Sequence, residues 1–114
     1  YRNLVKAQQL SGDTTQLELT ICHAQARDLI RNIQAGAVDE QVKIFEGLAK
    51  RLSAAGADAL AVTSIAGHFC ISELERVSPI PIIDALSGLE RELIERGYTK
   101  VGVLGTWQMF MKPT

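Results

Sequence analysis

Residues 56–68 read GADALAVTSIAGH, and this stretch decides the fold. Within it, residues 58–63 are a short and nearly continuous apolar run, which is typical of a parallel strand covered on both faces. Ser64, Ala66 and Gly67, which follow, are small, and the chain then leads into an apolar pattern over residues 69–77. The segment therefore predicts a buried strand whose carboxyl end passes through a turn into a helix.

The alternation of strand and helix continues on both sides of this segment. Strands are predicted at residues 15–22, 58–63, 80–83 and 101–104, because these runs are either alternating or continuously apolar. Helices are predicted at residues 1–10, 24–35, 39–55, 69–77 and 85–96. Such alternation predicts the α/β class, with a parallel sheet and flanking helices.

Three of the predicted helices carry an apolar face at helical spacing. These faces consist of Ala26, Leu29, Ile30 and Ile33, then Val42, Phe45, Ala49 and Leu52, and finally Leu86, Leu89 and Leu93. Glycines at positions 36, 56 and 97 follow these helices and are expected to end them. The three faces are expected to pack against the sheet.

The composition excludes several classes of protein. The chain has 114 residues, which suits one ordinary domain, and its net charge of -1 argues against a nucleic-acid binder. No apolar run approaches the roughly 20 residues that a membrane span needs. Cys22 and Cys70 show neither CxxC spacing nor disulfide-scaffold density, so a cytoplasmic location is expected. His23 and His68 have no carboxylate partners at ligand spacing, so no metal is expected.

Ligands of open α/β sheets bind beyond the carboxyl ends of the strands. Three such ends are predicted: Cys22-His23, residues 63–68, and Gly105-Thr106. At the middle one, backbone N–H groups at the start of the helix and the hydroxyls of Thr63 and Ser64 would favour an anion such as a carboxylate. The alternative is that Thr63, Ser64 and Gly67 only form the turn and cap the helix.

The remaining candidates are weaker. Cys22 and His23 are adjacent in a predicted strand, so their side chains should point to opposite faces and cannot readily serve each other. Cys70 is expected to be a small core residue. Residues 102–106 read GVLGT and lack the Gly-Lys-Ser/Thr ending of a phosphate-binding loop.

The order and spacing of these motifs resemble the aspartate/glutamate racemase family over nearly the whole chain. That family usually shows Gly-Ala-Asp, five residues, and then Cys-Asn-Thr-x-His, followed by a strand that contains proline. Here residues 56–58 read GAD, His68 ends the turn, and residues 80–83 read IPII. A later strand ending in Leu-Gly-Thr leads into the family's second domain, and residues 104–106 match it.

The chain departs from the family pattern at the positions that carry the chemistry. Ser64 occupies the place of the first catalytic cysteine, and Ile65 and Ala66 replace the Asn and Thr that follow it. After residues 104–106, Met109-Phe110 stands where the family often has Thr-Met. The second catalytic cysteine would lie beyond Thr114.

The resemblance implies a first α/β domain at residues 1–104 that lacks its first strand, and at 105–114 the start of a crossover into a second domain. It implies a cofactor-independent racemase, expected to be a homodimer, that acts on a small amino acid or dicarboxylate by abstracting and returning the α-proton. Ser64 would be the catalytic residue. The other expected site residues are Thr63, Ile65, Ala66 and Thr106 for substrate binding, with His68, Gly67 and Gly105 in support.

Two other functions fit the same residues. Arylmalonate decarboxylases resemble this family but use a single cysteine, with Thr and Ser hydroxyls holding a carboxylate near the first-cysteine position, and Thr63-Ser64 would suit that role. A relative without catalytic activity could keep the fold and bind a carboxylate, because fold alone does not determine function.

Overall fold

The computed structural model describes residues 2–3, 6–7, 12 and 17–105, so most of the helix predicted at residues 1–10 lies outside the described residues. The helices predicted after residue 24 are present. The helices are α1 (Ala26–Ala35), α2 (Val38–Ala54), α3 (Ile71–Val77) and α4 (Ala85–Glu95), with a 3₁₀ helix at Ile65–Cys70. The strands of the described part are β1 (Leu60–Ala61) and β2 (Ile82–Ile83). Residues 2–3 and 6–7 are helical as well. In this part of the chain, no helix combines the length and the apolar character that a bilayer crossing requires.

The two strands are parallel, as the alternating order predicts. Leu60 pairs with Ile82 and Ala61 with Ile83, and the N–H of Leu60 donates to the carbonyl of Pro81 at 2.9 Å. Proline has no N–H to donate, so its position just before β2 leaves the short ladder intact. The 3₁₀ helix and α3 form the connection between the strands.

Two predicted strands are absent from the described residues. Residues 17–22 and 101–104 have no strand structure, and residues 15–16 of the first prediction lie outside the described part. A strand is stabilised by hydrogen bonds to a neighbour, so alternation of apolar residues alone does not form one. Ile21 is 79% exposed and Leu104 is 99% exposed, so a sheet buries neither of these apolar side chains.

The core lies where α2, the 3₁₀ helix and α3 meet. Phe45, Cys70, Ile71 and Leu74 form its buried cluster, and Ala49 is also buried. Because Phe45 and Ala49 belong to the predicted apolar face of α2, that prediction is confirmed.

The buried residue of α1 is polar, which differs from the predicted apolar face. Asn32 is buried, and its side-chain amide donates a hydrogen bond to Oε1 of the buried Gln41 on α2, at 2.8 Å. A hydrogen bond of this kind offsets the cost of removing both amides from water. Ile30, by contrast, is 51% exposed. The end of α1 agrees with the prediction, since Gly36 caps it in the left-handed conformation, with φ 62°.

The apolar face of α4 is exposed rather than packed against a sheet. Leu86 and Leu89 are among the exposed large hydrophobic residues, and α4 has no buried residue. The helix contacts the 3₁₀ helix, and the sheet in the described residues has only two strands of two residues each. A sheet of this size cannot cover the helix face.

The 3₁₀ helix is the centre of the packing, because it contacts α1, α2, α3 and α4. Gly67 makes this position possible. A Cβ atom at Gly67 would lie 2.8 Å from Cγ1 of Val62 and 3.2 Å from Cζ of Phe45. The 3₁₀ helix thus packs on the residues that follow β1 and on α2 at a distance that only glycine permits.

Asp84 caps the amino end of α4. Its carboxylate accepts hydrogen bonds from the N–H of Leu86 at 2.9 Å and from the hydroxyl of Ser87 at 2.8 Å. The bond from Ser87, and then that from Leu86, lowers the pKa of Asp84, with a smaller contribution from the nearby His68. The ionised carboxylate is the form that caps the helix best.

We expect Gly67→Ala to destabilise the chain by about 1–3 kcal/mol, because the added methyl group overpacks the contact with Val62 and Phe45. Gly47→Ala is the matched control: Gly47 lies inside α2 with no neighbour within 4 Å of an added Cβ. It should stabilise the chain by about 0.5–1 kcal/mol through helix propensity. Urea denaturation measures both changes, and equal effects of the two substitutions would contradict this account of Gly67.

We expect the Asp84 cap to weaken in acid. Since folding lowers this pKa, the stabilisation is fully present above the unfolded value of about 3.9 and is lost as the pH falls through the lower native value. Asp84→Asn keeps an acceptor for Leu86 but has no charge to titrate. The melting temperature of the original chain should exceed that of the variant near neutral pH and converge with it in acid, and a constant difference would disprove the cap.

Candidate active site

A cavity of about 750 Å³ lies beside β1. Its walls come from the extended segment before α1, from the buried side of α2 and from the chain around β1. The lining residues are Glu18 to Ala24, Ala26, Leu29, Phe45, Leu48, Ala49, Leu52, residues 55–64 and Leu74. Most of these residues are apolar, and the few polar side chains among them can orient a ligand.

Thr63 and Ser64 line this cavity at the carboxyl end of β1, and both residues are exposed. The other residues of the predicted turn, from Ile65 to His68, do not line the cavity. Ile65 is 46% exposed, Ala66 is half-buried, and Gly67 and His68 are buried. Thr63 and Ser64 thus lie at the cavity, whereas Gly67 and His68 lie in the core.

Of the third predicted strand end, only Gly105 belongs to the described residues. Gly105 is exposed and does not line the cavity, and Thr106 lies outside the described residues. The predicted support from Gly105 and the predicted substrate contact of Thr106 therefore remain predictions.

Cys22 and His23 line the same cavity as Thr63 and Ser64. The expectation that they point to opposite faces assumed a strand, and residues 17–22 do not form one. Both residues therefore contribute to one wall. The cavity thus brings together the two polar ends that the sequence placed more than 40 residues apart.

A carboxylate and two hydroxyl groups lie at opposite ends of β1 along the cavity wall. Asp58 precedes β1, while Thr63 and Ser64 follow it, and five residues of extended chain span up to roughly 16 Å. Glu18 and His23 lie on the wall formed by the extended segment. A negatively charged ligand would be repelled from Asp58 and is accommodated better near the hydroxyl groups. Within residues 17–105, no group of three or more His, Cys, Asp or Glu side chains could hold a metal ion.

Two hydrogen bonds to the carbonyl oxygen of Ser64 hold the turn that carries this residue. The carbonyl oxygen of Ser64 accepts from the N–H of Gly67 at 3.0 Å and from Nδ1 of His68 at 2.9 Å. The His68 ring is 9% exposed, and its Nε2 is buried with no partner among the described residues. The backbone of Ser64 is therefore anchored to the core while its side chain stays exposed.

Cys70 is a core residue, as predicted. It is fully buried, and its thiol donates to the carbonyl of Gly67 at 3.5 Å. Burial, and then the nearby negative charge of Glu73, raises the pKa of Cys70 to about 11. Because the thiolate is the nucleophilic form, this residue is poorly suited to chemistry near neutral pH.

The sequence did not reveal two features of the site. Phe45, Leu48 and Leu52 of α2 form the apolar wall, and an amphipathic pattern cannot tell a cavity wall from a packed core. Asp84 lies near enough to His68 for their charges to interact. An Asp directly before the apolar pattern of α4 is an N-cap signal that could have identified the cap, although not its proximity to His68.

The chain matches one family of known proteins. The sequence model of the Asp/Glu/Hydantoin racemase family matches residues 1–113. No match was found among curated proteins or among solved structures.

We expect the two cysteines to differ in reactivity. With a pKa of about 11, Cys70 has roughly a hundredfold less thiolate near pH 8 than an unperturbed cysteine, and it is also buried. Cys22→Ser should therefore react slowly with a disulfide reagent such as DTNB until it is denatured. Cys70→Ser, which keeps the cavity-lining Cys22, should react at least tenfold faster, and equal rates for the two native variants would contradict this difference.

Proposed function

We propose that this chain, which belongs to the Asp/Glu/Hydantoin racemase family, is a cofactor-independent amino-acid racemase of the aspartate/glutamate type. Family membership supports a racemase-type activity on a small molecule. The observation that carries the narrower proposal is the position of Thr63 and Ser64 on the cavity, at the carboxyl end of β1. Ligands of α/β folds bind at such strand ends.

In this reaction one group removes the α-proton and another returns a proton to the opposite face of the same carbon. We assign one of these two roles to Ser64, which stands at the first catalytic position. A serine hydroxyl is far less acidic than a thiol and needs a neighbouring base. Proton transfer from this side should therefore be slow, and a cysteine elsewhere in the protein should lead the reaction.

The substrate carboxylate is assigned to the turn that follows β1. The hydroxyls of Thr63 and Ser64 would donate to it, together with the backbone N–H groups of Ser64, Ile65 and Ala66. The first N–H groups of a helix have no carbonyl partner inside the helix, so they are free to bind an anion. Thr106 and Gly105 would complete the site from the segment that follows.

A decarboxylase-like reaction is the second candidate. Thr63 and Ser64 both line the cavity, and two neighbouring hydroxyls can hold a carboxylate without either acting as a base. A carboxylate-binding protein without catalytic activity would use the same contacts. The cytoplasmic location, the homodimer and the division into domains at residue 104 remain predictions.

The racemase proposal predicts unequal α-deuteration of the two enantiomers. Each enantiomer of aspartate or glutamate is incubated in deuterated water and analysed by chiral chromatography and mass spectrometry. We expect Ser64→Cys to raise racemisation about tenfold or more, because a thiol is the better acid and base. Ser64→Ala is the matched control and should lower it.

Two results would contradict parts of this proposal. Equal α-deuteration of both enantiomers by the original chain would show that Ser64 is a competent base. Release of carbon dioxide from an arylmalonate, without any exchange of the α-proton of an amino acid, would favour the decarboxylase instead.

A further inference from the structure

His68 is linked to Ser64 through the backbone and not through the Ser64 side chain. Its Nδ1 lies 2.9 Å from the carbonyl oxygen of Ser64. A carbonyl oxygen can only accept a hydrogen bond, so Nδ1 must carry the proton. In a neutral ring Nε2 is then unprotonated, and this atom is buried without a partner in the described structure.

We infer that His68 is a positioning residue for Ser64, and that its neutral ring carries the proton on Nδ1. The hydrogen bond to the Ser64 carbonyl holds the peptide group that joins Ser64 to the 3₁₀ helix. This link sets the direction in which the Ser64 hydroxyl enters the cavity. The consequence for catalysis rests on the proposed function, whereas the position of the proton does not.

The geometry argues against His68 as the base that activates Ser64. A general base must reach the proton that it abstracts, directly or through one water. Nδ1 of His68 is already bonded to the backbone, its unprotonated Nε2 is buried, and His68 does not line the cavity. Ser64, by contrast, lines the cavity.

The packing argues against a histidine that only fills space. The carbonyl of Ser64 also accepts from Gly67, so two donors converge on one oxygen at the point where the chain leaves the strand. An apolar side chain of similar size would fill the same volume but would leave this oxygen with the Gly67 bond alone. His68 therefore contributes a hydrogen-bond donor at Nδ1, which an apolar side chain lacks.

The proton position can be measured by nitrogen-15 NMR of the histidine rings at about pH 8.5, where imidazole rings are neutral. Two histidines are present, and His68→Gln assigns the signals. We expect a protonated Nδ1 and an unprotonated Nε2 for His68. Protonation at Nε2 alone, or at both nitrogens, would overturn the inference whatever the activity of the protein.

The positioning role is tested with three substitutions. His68→Asn places an amide N–H near the position of Nδ1, His68→Gln places one near Nε2, and His68→Leu has no donor. We expect His68→Gln and His68→Leu to lower kcat for aspartate or glutamate roughly tenfold to a hundredfold, with a smaller change in KM. His68→Asn should recover most of that loss. Equal losses in all three variants would overturn the inference.

A readout without catalysis separates this inference from the proposed function. The amide signals of Ser64 and Gly67 should move strongly in the Gln and Leu variants and little in the Asn variant. If the original chain neither racemises nor binds aspartate, glutamate or malonate, the proposed function fails, while these signals and the ring tautomer still decide the role of His68. Unchanged signals in His68→Leu would overturn it.

Discussion

The close contact of Gly67 with Val62 and Phe45 is the constraint on which the rest of the structure depends. It allows the 3₁₀ helix to pack closely against the residue that follows β1 and against α2. In that position the 3₁₀ helix contacts all four helices, and Cys70 at its end joins the buried cluster with Phe45 and Leu74. A larger residue would move this helix away from α2, and the helices would lose the element that they share.

The same constraint separates the two ends of the functional turn. Ser64 and Thr63 stay exposed at the cavity, whereas Gly67 and His68, only three or four residues beyond Ser64, are buried. A 3₁₀ helix rises about 2 Å per residue, so this change from cavity to core takes place within one turn. The hydroxyls that can meet a ligand are thus held directly by the best-packed part of the molecule.

The sequence predicted the elements whose stability is local. Helical spacing and the glycines that follow identified α1, α2 and α4 to within two residues, because both signals act within a few turns. The segments 17–22 and 101–104 were predicted as strands but have no strand partner in the described structure. Pairing depends on residues far away in the chain, and alternation does not show whether they are in place. The sequence also could not predict the hydrogen bond between His68 and the Ser64 carbonyl, because this bond depends on the path of the backbone through the 3₁₀ helix.

The chemistry of the candidate site depends on which titratable side chains line the cavity and can exchange a proton with a ligand. His68 and Cys70 are buried and do not line the cavity, and burial raises the pKa of Cys70 to about 11, so neither is placed to take a proton from a ligand there. Among the described residues, the titratable side chains on its walls are Glu18, Cys22, His23 and Asp58. Cys22 and His23 lie in the segment before α1 and line the same cavity as Ser64. Asp58 lies at the other end of β1 from Ser64, so a base that assists Ser64 from within this part of the chain must come from the segment before α1.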